Sequence, residues 1–226
     1  MTPLLDRIEA ALFDLDGTLV ETNIDFPLMR RTVIALAAEE GIETDGLDEL
    51  DILAAVEEAA SRLRARGACA ESIGCRERAY EALENIELRH ARRTREIPFA
   101  RELVFHLRER DIKVGVVTRN CRRASEMSLR IVRICPDVIV AREDAREHKP
   151  HPQQLHLALA ALGVPPERSV MVGDHLMDVS SGRAAGSKTI GILHDSRPRD
   201  FFDAVRPDLV VRSLEEVLDA IVGRDR

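Results

Sequence analysis

One stretch limits what this chain can become: Ala10-Ala11-Leu12-Phe13-Asp14-Leu15-Asp16-Gly17-Thr18-Leu19-Val20. Ile8, Ala10, Ala11, Leu12 and Phe13 form a nearly continuous apolar run. Such a run suits a central strand covered on both faces. Asp14 and Asp16 then follow at alternate positions. Side chains alternate along a strand, so a continued strand would point both carboxylates to one face. Like charges side by side at a buried strand end are costly unless a cation lies between them. Gly17 comes next, where a chain turns tightly or lets a ligand approach its backbone. Paired carboxylates and a glycine after such a strand point to the carboxyl edge of a sheet, where open α/β folds bind ligands. The plainer alternative is a surface turn rich in Asp and Gly.

The chain has 226 residues, room for a core and a smaller inserted domain, and 45% of them are hydrophobic, enough to fill a core. There is no Trp and a single Tyr, which opposes aromatic platforms for single-stranded nucleic acid. A net charge of −7 opposes general binding to a phosphate backbone, though not a local basic pocket for a small anion. No nucleic-acid partner is expected. The opening residues, Met1-Thr2-Pro3-Leu4-Leu5-Asp6-Arg7, lack the basic start and long apolar run of a signal peptide. No apolar run approaches the length of a membrane span, so no membrane association is expected. Cys69, Cys75, Cys121 and Cys135 include no Cys-x-x-Cys pair and read as reduced thiols in a cytoplasmic protein.

After the opening motif the pattern turns helical. Phe26, Met29, Val33 and Leu36 step at three and four, up to Gly41; Leu50, Leu53, Val56, Ala60 and Leu63 repeat the pattern up to Gly67; Ala79, Leu83 and Ile86 mark a third helix. The expectation is a small helical domain over residues 21–96, inserted into a core of 1–20 and 97–226. Pro98 is expected to open the next helix, at a position that suits proline. Strands at 112–117, 138–140, 170–172, 189–192 and 209–211 then alternate with helices. This predicts an α/β fold: a three-layer, Rossmann-like parallel sheet with an inserted α-helical domain.

The informative residues fall where strands stop. Thr118 follows the second core strand; its hydroxyl suits an anion, and a helix cap or turn explains it equally. Lys149 lies in Glu147-His148-Lys149-Pro150-His151-Pro152, where Pro150 biases it towards an extended loop. Such a lysine delivers a point charge to a phosphate; taken alone it reads as a solvated surface lysine. Gly173-Asp174 ends another apolar strand, with Asp178 one helical turn further on. Together, aspartates, a hydroxyl and a lysine at strand ends suit a hard cation such as Mg²⁺ and a phosphoryl group. Arg66, beside the Gly67 turn, is a candidate for a substrate carboxylate.

These motifs, Asp14-Leu15-Asp16-Gly17-Thr18, then Thr118, then Lys149-Pro150, then Gly173-Asp174 with Asp178, resemble the four ordered motifs of the haloacid dehalogenase-like hydrolase superfamily. The helical insertion is similar in placement to the cap of its phosphoglycolate phosphatase and β-phosphoglucomutase branch. The resemblance implies that Asp14 is a nucleophile forming an aspartyl-phosphate, and that Asp16 is the general acid and then base. It implies Mg²⁺ held by Asp14, the Asp16 carbonyl and Asp174, with Asp178 an outer ligand or the partner that fixes Lys149. Thr118 and Lys149 would bind phosphoryl oxygens, Leu15 and Gly17 would offer backbone N–H groups, and Arg119 and Asn120 complete the phosphate-binding set. Two departures stand out: Arg119 intervenes between Thr118 and Asn120, and Glu21-Thr22 stands where Asp-Ser is frequent.

The implied activity is a Mg²⁺-dependent phosphatase acting on a small phosphorylated metabolite, phosphoglycolate phosphatase-like. A β-phosphoglucomutase-like isomerase is the alternative, and a non-catalytic scaffold a third reading. Asp16 and Asp174 argue against dehalogenation, whose enzymes in the family dispense with the metal and the second Asp. The sequence assigns neither a particular substrate nor an oligomeric state.

Overall fold

The computed structural model describes residues 7–223; the opening segment 1–6 and its expected lack of a leader lie outside them. The chain divides into two compact units, residues 23–90 and the remainder. Its elements run β1 (Ala10–Phe13), β2 (Val20–Glu21), α1 (Phe26–Glu39), α2 (Ile52–Ala65), α3 (Cys69–Ala91), β3 (Arg95–Glu96), α4 (Ala100–Arg108), β4 (Lys113–Val117), α5 (Arg122–Val132), β5 (Val138–Val140), α6 (Gln153–Leu162), β6 (Ser169–Gly173), α7 (Leu176–Ala185), β7 (Lys188–Ile192), β8 (Leu209–Val211) and α8 (Leu214–Val222).

Six strands form one parallel sheet in the order β5-β4-β1-β6-β7-β8. β1 is central, and its four residues are all buried, which is why every position can be apolar. Its side chains alternate between two layers. Ala11 and Phe13 join Leu103 and Leu107 of α4, Leu129 of α5, and Leu214 and Val217 of α8. Ala10 and Leu12 join Leu155, Leu159 and Leu162 of α6. Each large side chain so buried contributes about 1.5–3 kcal/mol. The chain leaves β1 for β4 and β5 on one side and returns to β6, β7 and β8 on the other. The strand order therefore reverses beside the carboxyl end of β1, where such folds open a crevice.

The helical unit has its own core: Met29 and Val33 of α1, Leu53, Val56 and Leu63 of α2, and Ala79, Leu83 and Ile86 of α3, with Leu47 between them. Asp25 and Asp51 cap α1 and α2 by accepting backbone N–H bonds. Arg66, expected near a substrate, instead donates to Gly41 O at 2.8 Å and closes the turn after α1.

Some boundaries differ from expectation by more than a residue. The helical unit spans 23–90 rather than 21–96, because β2 and β3 pair antiparallel inside the α/β unit. Strands of two residues carry no periodicity to read. Likewise α4 starts at Ala100, not Pro98, because Phe99 sits at φ 70 and breaks the run of helical dihedrals.

Candidate active site

Past Phe13 the chain leaves the ladder but stays tethered to it, since Asp14 N–H donates to Val172 O of β6 at 2.9 Å. The expected alternation therefore stops before the two carboxylates, and they find different partners. Asp14 Oδ1 accepts from Lys149 Nζ at 2.6 Å. Asp16 Oδ1 accepts from the Thr22 hydroxyl, and its Oδ2 from the Asn120 amide.

Lys149 is not the solvated lysine its loop suggests. Its side chain is 2% exposed. Its ammonium donates to Asp14, to Val117 O at 2.8 Å and to Asp178 Oδ1 at 2.7 Å, which matches its three N–H groups. Gln154 fixes the loop: its Oε1 accepts from Lys149 N–H at 3.3 Å, and its Nε2 donates to Thr118 O at 2.8 Å and Ala141 O at 3.1 Å. Burial opposes the charge on Lys149, but Asp14 and Asp178 outweigh it and hold the ammonium above the ordinary lysine range. Burial pushes the Asp14 carboxyl well up; Lys149 opposes this, while the charges of Asp178 and Asp174 add to it.

Asp178, on the first turn of α7, also accepts His175 N–H on its Oδ2 at 3.0 Å. Asp174 lies at the end of β6 with its side chain 18% exposed. Oxygens of Asp14, Asp174 and Asp178 all lie within 4.8 Å of one another. Two glycines permit this crowding. A Cβ on Gly17 would stand 2.5 Å from Asp174 Oδ2, and one on Gly173 2.3 Å from the Asp178 carboxyl. Gly17 also has φ +88, a conformation that other residues adopt at a cost.

The remaining candidates occupy different places. Thr118 is buried at the end of β4; its hydroxyl accepts Asn120 N–H at 3.1 Å, and Cys121 rather than Thr118 caps α5. The Gly17 N–H, expected to face a phosphate, donates to Val20 O at 2.8 Å and closes the turn after Asp16. Leu15 is fully buried, and its carbonyl accepts from the N–H groups of Leu19 and Val20, both at 3.0 Å. Arg119 Nη1 donates to Met177 Sδ at 2.8 Å, and the Asn120 side chain is directed at Asp16. Sequence reasoning passed over His194, whose Nε2 lies 2.8 Å from Gly17 O and 3.5 Å from Asp174 Oδ2. Its hydrogen bond to Asp174 raises its basicity against the effect of partial burial. The available signal was positional: His194 follows β7, at the same sheet edge.

A parallel α/β sheet with carboxylates and a buried ammonium gathered at its carboxyl edge is built on a fold that many solved structures share. The family model described as haloacid dehalogenase-like hydrolase matches residues 11–192, and the chain belongs to that family. The pyrophosphatase PpaX of Bacillus mycoides is 30% identical over 215 residues, covering 94% of this chain and 96% of that protein. Among solved structures, a CbbY variant of Rhodobacter sphaeroides in complex with xylulose-1,5-bisphosphate is 25% identical, with a TM-score of 0.60 over 95% of this chain and 99% of that one. A HAD phosphatase from Thermococcus onnurineus shares the fold, at TM-score 0.60 and 24% identity, over 93% of this chain and 96% of its own. Among the described residues no helix is long and apolar enough to cross a membrane.

Proposed function

We propose that this chain is a Mg²⁺-dependent phosphatase, acting on a small phosphomonoester through an aspartyl-phosphate at Asp14. The observation that carries the reading is the buried Lys149 ammonium, bound to Asp14 and Asp178 with Asp174 beside them. Buried charge is kept only when paired, and three carboxylates around one ammonium still leave negative charge in excess. Oxygen donors of this kind suit a hard divalent cation. The glycine-lined approach of Asp174 to Gly17 leaves no room for a bulkier residue there. Asp14, Asp174 and the Asp16 carbonyl would hold Mg²⁺, with Asp178 reserved for Lys149. When bound, the ion would offset charge on the phosphoryl oxygens.

The chain's own groups account for the bond changes. An Asp14 oxygen forms a bond to phosphorus as the bond to the leaving oxygen breaks. Asp16 gives its proton to that oxygen and, now ionised, takes one from the water whose oxygen bonds to phosphorus as the Asp14–phosphorus bond breaks, freeing Asp14 and inorganic phosphate. In the structure both Asp16 oxygens accept hydrogen bonds, Oδ1 from the Thr22 hydroxyl and Oδ2 from the Asn120 amide, which fixes the direction of the carboxyl. Lys149 and the Thr118 hydroxyl would bind the transferring group.

Phosphoglycolate-like monoesters are the first substrates to assay. Pyrophosphate is the second, because the PpaX relative matches over nearly its whole length. Phosphate release should require Mg²⁺ and stop in excess chelator. Asp14→Asn should lose at least about 10⁴-fold in rate, as loss of a nucleophile does. Asp16→Asn, given a nitrophenyl phosphate whose leaving group needs little help, should accumulate one phosphoryl group on Asp14 by intact mass. Full turnover without metal would overturn the reading. Isomerised sugar phosphate with no released phosphate would replace it with a phosphomutase.

A further inference from the structure

His194 plays no part in the bond changes above, yet the backbone around it is held firmly. Leu193 N–H donates to Val211 O at 2.8 Å, and Arg197 N–H donates to His194 O at 2.9 Å. The imidazole is thereby presented to the turn after β1, with its side chain 34% exposed. Its Nε2 is 2.8 Å from Gly17 O. A carbonyl oxygen only accepts, so Nε2 carries the hydrogen and the tautomer is fixed. The same nitrogen stands 3.5 Å from Asp174 Oδ2. That oxygen in turn occupies the volume a side chain on Gly17 would fill, 2.5 Å from the position of such a Cβ. Asp174 Oδ2 thus lies against both the Gly17 backbone and the imidazole, which are themselves hydrogen-bonded to each other.

We propose that His194 is a positioning residue for the cation site, acting through Asp174 and the Gly17 carbonyl. The inference rests on the Mg²⁺-dependent reading above and extends it to a residue outside the motifs. A ligand carboxylate already held in place loses less freedom when the cation arrives, and partners of ligands tune affinity for that reason. His194 touches neither the reacting atoms nor, on this reading, the ion. Its contribution appears in metal affinity before it appears in chemistry.

The test is calorimetric titration of Mg²⁺ into the full chain and its variants, with metal-free melting recorded alongside. His194→Phe keeps a ring but no donor and should weaken Mg²⁺ about tenfold or more. In His194→Gln the side-chain amide reaches the position of Nε2 and should recover most of that loss. If His194→Phe does not fold, His194→Asn, too short to reach Gly17 O, takes its place. Mg²⁺ affinity equal to wild type in the Phe variant, or a Gln variant no better than Phe, overturns the proposal. So does a fall in metal-free melting with affinity unchanged, which would make His194 a prop for the turn. A wild-type chain that takes up no Mg²⁺ would remove the Mg²⁺-dependent reading itself. Wild-type uptake matched by both variants would remove only the role of His194.

Discussion

In the helical unit, three arginines near the surface donate to backbone carbonyls. Arg30 donates to Leu50 O at 2.6 Å, Arg62 to Glu43 O at 2.6 Å and Arg66 to Gly41 O at 2.8 Å, so each staples a loop between helices. In the α/β unit Lys149 does the reverse. It is buried, and two of its three acceptors are carboxylates. A surface guanidinium on a carbonyl ties up a donor that water would otherwise satisfy. A buried ammonium between carboxylates gives up hydration on every side and is retained only where the charge is used or fully matched. The contrast separates structural from chemical use of the same sign of charge.

The largest effect should come from Lys149→Met. It strands Asp14 and Asp178 against each other and should cost about 3 kcal/mol of stability, in the range for breaking a buried pair. Phosphate release should fall by roughly 10³-fold. Arg66→Met, by contrast, should stay within about 0.5 kcal/mol in denaturant unfolding. Equal losses for the two variants would break the comparison. Leu83→Ala should cost the helical unit about 3 kcal/mol, because Leu83 is fully buried in its apolar cluster. A much smaller loss would mean that this unit depends on its polar staples after all. Gly17→Ala should cost about 1–2 kcal/mol for a side chain at φ +88 and, by displacing Asp174, weaken Mg²⁺ further.

The smallest effect concerns His148, also in the α/β unit. Burial holds its imidazole below the ordinary value of 6.5, against a hydrogen bond to Arg142 O that acts the other way. The unfolded chain therefore takes up this proton before the folded one does. Stability should fall as pH drops through about 6.5 and on towards the folded value. His148→Gln should flatten that part of the profile in unfolding curves; an unchanged slope would assign it to other groups.

Strands and helices were legible because hydrophobic period and terminal glycines survive in sequence. The order of β4, α5, β5, α6, β6 and α7 follows from alternation alone. The acidic positions were legible for the same reason, since Asp14, Asp16 and Asp174 follow the ends of apolar strands and Asp178 lies one helical turn beyond. Side-chain partners were mostly not, although the resemblance offers Asp178 as a partner for Lys149, a pair the structure contains. Lys149 is 135 positions from Asp14, and nothing local in a loop of histidines and prolines shows that the fold buries it. A common face for Asp14 and Asp16 holds only if the strand continues past Phe13, where β1 already ends. His194 carries no motif and becomes visible only when the Gly17 turn and the end of β7 are brought together.

The central place of β1 has a consequence for the newborn chain. Ribosomes make Ala10–Phe13 early, yet the strand pairs with Lys113–Val116 on one side and Ser169–Val172 on the other. Until both have emerged, a wholly apolar strand of the α/β unit has two open edges, the condition in which nascent chains recruit chaperones or aggregate. Lys149 likewise has only one of its two carboxylate partners until Asp178 has been made. Translation must therefore run through most of the chain before the first strand made can acquire both neighbours and before Asp14 can sit in its finished surroundings.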